Sequence, residues 1–121
     1  MVGTTEPPAP GEKRDWPRRR VLLTGLIAND DLSVSFRCAI RNRSEPGANL
    51  RLPKGQTAPD AFWLIEVQEG KAYRATAIWK TLPDIGVTLA DPVDLHSPTE
   101  DLFQHRLRAL WLEAAPRGRN S

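Results

Sequence analysis

The sequence has few of the cysteine and histidine residues that disulfide-bonded or metal-binding proteins need. Its 121 residues include one cysteine, Cys38, and two histidines, His96 and His105. A single cysteine excludes an intramolecular disulfide, and two isolated histidines do not provide the ligand spacing of a metal site. We therefore expect a protein of a reducing compartment that holds no metal, with both histidines in structural roles.

Long apolar runs are also missing. Residues 1–11 lack the apolar stretch of a signal peptide, and nowhere are there about 18 consecutive apolar residues, the length needed to cross a bilayer. We expect a cytoplasmic protein with no membrane insertion.

Signatures of catalysis are absent as well. The sequence contains no HExxH, no paired CxxC and no nucleophile motif around its serines, and its acidic residues form no obvious inward-facing pair. We expect a protein that is not an enzyme and uses no cofactor.

Positive charge is modest overall but locally concentrated. The formal net charge is +2, from 17 Lys and Arg against 15 Asp and Glu, which is too small for a protein that coats nucleic acid. Single-stranded nucleic-acid binding is therefore the weakest of the functions considered, and it would require a steep salt dependence. The basic residues concentrate in two groups that suit a local anion: Lys13, Arg14, Arg18, Arg19 and Arg20, then Arg37, Arg41, Arg43 and Arg51.

The order of segments predicts one domain with tails. Residues 1–12 are rich in Pro, Gly, Thr and Glu and predict a flexible leader. After it, short β-rich runs separated by turn residues recur about every ten residues, which is typical of a barrel or sandwich. Six strands are enough to close a small barrel. The predicted strands are 21–28, 34–41, 49–52, 61–67, 72–80 and 85–89.

Alternation within two of these strands predicts which side chains face the core. Val34, Phe36, Cys38 and Ile40 alternate with polar or small residues and predict a half-buried strand. Trp79 shares the face of Tyr73, Ala75 and Ala77, so we interpret it as a core residue rather than a ligand platform.

A helix is predicted to follow the barrel. Ser97, Pro98 and Glu100 form a capping box, with serine as N-cap and proline at the first helical position. We assign residues 13–95 to the barrel with its N-terminal basic segment, 96–115 to the helix and 116–121 to a tail. The apolar stripe expected to pack on the barrel is Phe103, Leu107, Leu110, Trp111 and Ala114.

Two short motifs point to a function. Arg14 and Arg18 form an R-x-x-x-R before the first strand, and Asn42, Ser44 and Gly47 form an N-x-S-x-x-G between the second and third strands. In this order, one hairpin apart, they resemble the two-part signature of the PilZ family, RxxxR followed by [D/N]xSxxG. The resemblance extends from about residue 13 to residue 89, with asparagine in place of the commoner aspartate.

The resemblance implies a small six-stranded antiparallel PilZ-type β-barrel with a C-terminal α-helix that binds the bacterial second messenger cyclic di-GMP. It implies that Arg14 and Arg18 contact phosphate or guanine, that Asn42 and Ser44 hydrogen-bond a guanine, and that Gly47 lets ligand and backbone approach closely. These residue types suit the ligand, because a guanidinium can pair bidentately with phosphate or with guanine O6 and N7 and can also stack on a purine.

Two functional hypotheses follow from the motifs. In the first, the chain is a stand-alone receptor and adaptor: cyclic di-GMP orders the N-terminal arginine loop, and an unidentified effector protein senses the change. In the second, the chain is a PilZ-like protein-protein interaction module without nucleotide binding. Each motif also has a simpler interpretation, because Arg14 and Arg18 could belong to a solvated basic leader and Asn42, Ser44 and Gly47 could serve the turn alone.

Overall fold

The computed structural model describes residues 19–115, and for residues 19–22 it describes the backbone alone. These residues form six strands and one helix. They are β1 Arg19–Ala28, β2 Ser35–Ser44, β3 Gly47–Arg51, β4 Ala61–Glu66, β5 Lys71–Thr81, β6 Asp84–Asp94 and α1 Leu102–Ala114.

The strands form a closed antiparallel barrel in the order β1-β2-β3-β6-β5-β4, with β4 pairing back onto β1. Each strand therefore has a neighbour on both sides, and closure leaves none of the six as an unpaired sheet edge. The expected fold class, a six-stranded antiparallel barrel followed by a C-terminal helix, is confirmed.

The barrel interior is filled by the inward-facing side chains of all six strands. Cys38 and Ile40 of β2 are buried there as the alternation predicts, and Phe36 packs against the same core. Val34 was expected on this face, but it is 57% exposed because it precedes β2 and lies in the hairpin turn. There its backbone N–H donates to the Asn29 side chain, and its carbonyl accepts from the Asn29 N–H.

Strand β6 continues to Asp94, whereas the sequence predicts an end at Leu89. The pairs Arg74↔Ala90 and Ala72↔Val93 leave one extra residue on β6 between them. This bulge includes Asp91, which has a φ of 53°. Asp91 and the proline after it resemble a strand end in the sequence, but a bulge absorbs the irregular residue and the pairing resumes.

Helix α1 packs on the outside of the barrel, over β1, β4 and the end of β6. Leu107 is fully buried against Leu26, Ile65 and Leu95. The indole N–H of Trp111 donates to the Val67 carbonyl at 2.8 Å, which ties the last turns of the helix to the β4–β5 hairpin. The predicted apolar stripe is confirmed, since its other members also pack against the cluster that contains Leu26, Ile65 and Leu95. Helix α1 is too short and too polar to cross a membrane.

The helix begins later than predicted. Its N-cap is Asp101, whose carboxylate accepts from the backbone N–H of Gln104 at 2.8 Å. The Ser97 capping box is therefore wrong. Thr99 precedes the cap, and its hydroxyl accepts from the Asp101 N–H at 3.1 Å, so this segment turns before the helix instead of starting it.

Candidate functional site

A cleft of about 200 Å³ lies on the outer face of the barrel, across strands β2, β3, β6 and β5. Helix α1 packs elsewhere, over β1 and β4, so it leaves this face uncovered. The polar and apolar side chains that shape the cleft are Asn42, Ser44, Asn49, Ile78, Trp79 and Thr88.

Strand register explains why these residues meet. Asn42 pairs with Asn49, Asn49 with Gly86 and Gly86 with Trp79, so one row of the sheet crosses four strands. Directly paired residues share a face, so the two amides and the indole stand on the same side. A parallel row two residues away contains Ser44, Gly47 and Thr88.

Trp79 was interpreted from the sequence as a core residue, and this is wrong. The pairs Ala77↔Val87 and Trp79↔Gly86 leave Ile78 as an extra residue on β5. This bulge changes the phase of alternation, so that Ile78 is 63% exposed and Trp79 is 41% exposed. The sequence did contain one signal, the glycine of the adjacent strand, because a glycine in a strand often marks close approach of another group.

The indole of Trp79 lies directly over Gly86. A Cβ added at Gly86 would collide with indole atoms, including Nε1 and Cε2. The missing side chain therefore leaves room for the ring over the strand, and Trp79 lines the cleft together with Asn49.

The turn between β2 and β3 places the second motif at the cleft. Asn42 and Ser44 are half-buried, and the Ser44 hydroxyl donates to the Gly47 carbonyl at 3.4 Å. A Cβ added at Gly47 would lie 2.5 Å from the Val87 carbonyl oxygen, so pairing of β3 with β6 already requires glycine there. The structure thus brings Asn42, Ser44 and Gly47 together, whereas Arg14 and Arg18 lie outside the described residues.

The chain enters the barrel beside this cleft. The backbone of Arg19 pairs with Arg43, and that of Arg20 pairs with Asn42. Arg18 is bonded to Arg19, and consecutive Cα atoms are about 3.8 Å apart. The R-x-x-x-R motif is therefore joined to the barrel next to the N-x-S-x-x-G motif.

Two arginines of the second basic group are neutralised by acidic partners. Arg51 donates to both carboxylate oxygens of Asp84, at 2.8 and 3.0 Å, and these bonds hold the pKa of Asp84 below its ordinary value and raise the pKa of Arg51. Arg43 is ion-paired with Glu66 inside the end of the barrel. These two arginines do not offer the local anion site that their clustering in the sequence suggests.

The described lining of the cleft combines hydrogen-bonding groups with an aromatic side chain. Its lining contains amides, hydroxyls, apolar side chains and an aromatic plane, and none of the described lining residues is titratable. Amides and hydroxyls can donate and accept hydrogen bonds, and an exposed indole can stack on a flat ring. Such a set suits a planar, polar ligand such as a nucleobase.

No protein-family model matches the sequence, and no curated protein matches it. One similar solved structure is described as the crystal structure of the PilZ domain of CeSA from a cellulose synthesizing bacterium. It is 16% identical in sequence, the match covers 79% of this chain and 93% of that chain, and the TM-score is 0.49.

Proposed function

We propose that this chain is a receptor for cyclic di-GMP and that the ligand binds in the cleft across β2, β3, β6 and β5. The observation that carries the proposal is the position of the second motif. Asn42 and Ser44 share one exposed face with the indole of Trp79, and the segment bearing Arg14 and Arg18 joins the barrel beside them.

Each part of the ligand has a matching group. The amide of Asn42 and the hydroxyl of Ser44 can hydrogen-bond a guanine edge, and Trp79 offers a plane on which a purine can stack. The guanidinium groups of Arg14 and Arg18 supply the charge that two phosphates require. The lining residues that the structure describes carry no charge, so in this proposal phosphate binding depends on the arginine segment.

The size of the cleft also calls for that segment. Small-molecule pockets usually measure about 300–1,000 Å³, whereas this cleft measures about 200 Å³. The cleft alone is therefore small for a dinucleotide with two guanines, and the arginine segment would complete the site. Arg14 is five residues from Arg19, a span of at most about 18 Å, so both arginines can reach a ligand seated there.

The energies are sufficient for a micromolar receptor. A micromolar dissociation constant corresponds to about 8 kcal/mol. Stacking on an aromatic ring contributes about 1–3 kcal/mol, and each charge-assisted hydrogen bond about 1.5–3 kcal/mol. Three or four such bonds and one stacked base reach this total, less the cost of ordering the arginine segment.

We further infer that the ligand acts by fixing the arginine segment on the barrel. The ordered segment and the bound nucleotide then form a surface that an effector protein recognises. Amide exchange of residues before Arg20 should slow on saturation with ligand. Unchanged exchange in a saturated complex would contradict the adaptor mechanism while leaving binding intact.

Isothermal calorimetry at moderate salt tests the receptor function. The wild-type protein should bind cyclic di-GMP saturably and should not bind GTP, and the Arg14→Ala plus Arg18→Ala variant should lose binding. The matched control is Arg74→Ala plus Arg106→Ala, which removes the same charge near the Asp30–Asp31 turn, on the helix side of the barrel. Equal loss in both double variants would indicate general electrostatic attraction instead of a site.

A second candidate function is supported by the exposed apolar residues of β5. Ile78 and Trp79 are adjacent and exposed, and aromatic side chains are enriched at protein interfaces. If calorimetry and thermal shift detect no binding of cyclic di-GMP, we propose instead that this face docks a partner protein, and Ile78→Ser should then weaken partner binding without changing the fold.

A further inference from the structure

Arg43 occupies the middle of the second motif but does not face the cleft. It pairs with Ala48, which pairs with Val87, and both of these residues are buried in the barrel core. Its side chain is 18% exposed, and its Nε donates to the carboxylate of Glu66 at 2.5 Å. The Glu66 side chain is only 4% exposed, so this is a largely buried ion pair.

The same guanidinium also holds the turn of the motif. Its Nη1 donates to the carbonyls of Glu45 and Gly47, each at 3.3 Å. Its Cζ lies 5.2 Å from the centre of the Tyr73 ring on β5. One side chain thus connects the β2–β3 turn to strands β4 and β5.

We propose that Arg43 and Glu66 are positioning residues for the ligand site; this rests on the proposed function. They hold the turn Ser44–Gly47 in the geometry that presents Ser44 to the cleft. The Gly47 carbonyl accepts from both Arg43 and the Ser44 hydroxyl, and the bond from Ser44 is long, at 3.4 Å. Ser44 can therefore turn its hydroxyl to a ligand without leaving the Gly47 carbonyl unpaired, because Arg43 still satisfies it.

Stability alone does not account for such a pair. Burying two charges costs desolvation that their attraction barely offsets, and replacing a buried ion pair by apolar residues is often neutral or stabilising. What apolar residues cannot supply is a donor for two turn carbonyls. The arrangement therefore points to control of geometry.

Conservative variants test the proposal. Arg43→Lys keeps the charge that pairs with Glu66, but its ammonium lacks the planar fork that serves the carboxylate and both carbonyls at once. We expect about tenfold weaker binding of cyclic di-GMP, the equivalent of the one hydrogen bond that a displaced Ser44 no longer makes to the ligand, with a melting temperature close to that of the wild type. The matched control is Arg51→Lys, whose partner Asp84 does not touch the turn, and it should bind as the wild type does.

Amide exchange of the ligand-free protein gives a readout that does not depend on nucleotide binding. In Arg43→Lys and in Glu66→Gln, the amides of the Ser44–Gly47 turn should exchange about tenfold faster than in the wild type, while the amides of β5 exchange at the wild-type rate. In the control Arg51→Lys, the turn amides should also exchange at the wild-type rate. If a single variant fails to fold, the Arg43→Met plus Glu66→Leu variant replaces it, since an apolar pair should restore folding but not the turn.

The outcomes separate the two claims. Faster turn exchange together with weaker binding supports the positioning role. Unchanged turn exchange, or faster exchange with unchanged affinity, overturns it. If the wild-type protein binds no cyclic di-GMP while Arg43→Lys still loosens the turn, the proposed function fails and the hold of Arg43 on the turn stands.

Discussion

Two outer faces of the same barrel differ in solvent exposure. On one, Leu26, Ile65 and Leu95 are buried because Leu107 and its neighbours on α1 cover them. On the other, Asn42 and Ser44 stand beside the exposed Ile78 and Trp79, and helix α1 does not reach them. The two faces differ in side-chain chemistry and also in the bulges of β2 and β5, which turn Asn42 and Trp79 outward on the cleft face.

On both faces an aromatic ring lies against a glycine, but the surroundings of the two rings differ. Gly70 lies beneath His96 and Trp111 on the covered face, and Gly86 lies beneath Trp79 on the cleft face. Trp111 is fixed by its hydrogen bond to the Val67 carbonyl. Trp79 is 41% exposed and lies among the polar side chains that line the cleft, whereas Trp111 is half-buried against the barrel.

The largest expected effect concerns the covered face. Leu107→Ala should lower the free energy of unfolding by about 2–5 kcal/mol, because it removes a fully buried side chain and leaves a cavity between helix and barrel. Urea titration measures this loss. The matched control is Leu112→Ala on the exposed side of α1, which should change stability by no more than about 0.5 kcal/mol. Similar losses in both variants would show that the helix does not pack as described.

The next effect concerns the cleft face and should appear in affinity, not stability. Trp79→Ala should weaken cyclic di-GMP binding by about 5- to 150-fold, the equivalent of about 1–3 kcal/mol of base stacking. Calorimetry measures the affinity. Trp63→Ala is the control. Trp63 packs against Phe103 of α1, with ring centroids 5.4 Å apart, so the Trp63→Ala protein should be less stable but should bind cyclic di-GMP with wild-type affinity. Equal losses of affinity in Trp79→Ala and Trp63→Ala would contradict this difference between the two faces.

The smallest effect is a pH dependence shared by both faces. The hydrogen bonds from Arg51 and the backbone N–H of His96 hold the pKa values of Asp84 and Asp94 below the ordinary 3.8. A carboxylate with a depressed folded-state pKa stabilises the protein above its unfolded pKa, and this contribution is lost as the pH falls through the folded value. Stability should therefore decline below about pH 4. Urea midpoints of Asp84→Asn and Asp94→Asn should each fall less steeply with acid than those of the wild type.

The sequence predicts the strand count and the helix stripe correctly because both depend on simple periods. Cys38 and Ile40 alternate, and Leu107 and Trp111 recur at helical spacing, so burial follows from the pattern. Asn42, Ser44 and Gly47 lie close together because a short turn joins β2 to β3. These features need no knowledge of which strands pair.

The side chains that the pattern misplaces lie beside bulges. Alternation from Cys38 and Ile40 would put Asn42 inside and Arg43 outside, but a register shift between Ile40 and Asn42 reverses both. The extra residue at Ile78 likewise turns Trp79 outward. One inserted residue inverts every following side chain, and a single sequence does not mark where the insertion falls.

Amide and indole chemical shifts during titration with cyclic di-GMP show directly whether the cleft is the ligand site. If the cleft is the ligand face, the backbone amide resonances of Asn42, Ser44 and Asn49 and the indole N–H resonance of Trp79 should shift on saturation. The indole N–H resonance of Trp111 and the amide resonance of Leu107 should not shift. Shifts centred on α1 and its contacts, or no shifts at all at saturating ligand, would contradict a receptor site on this face.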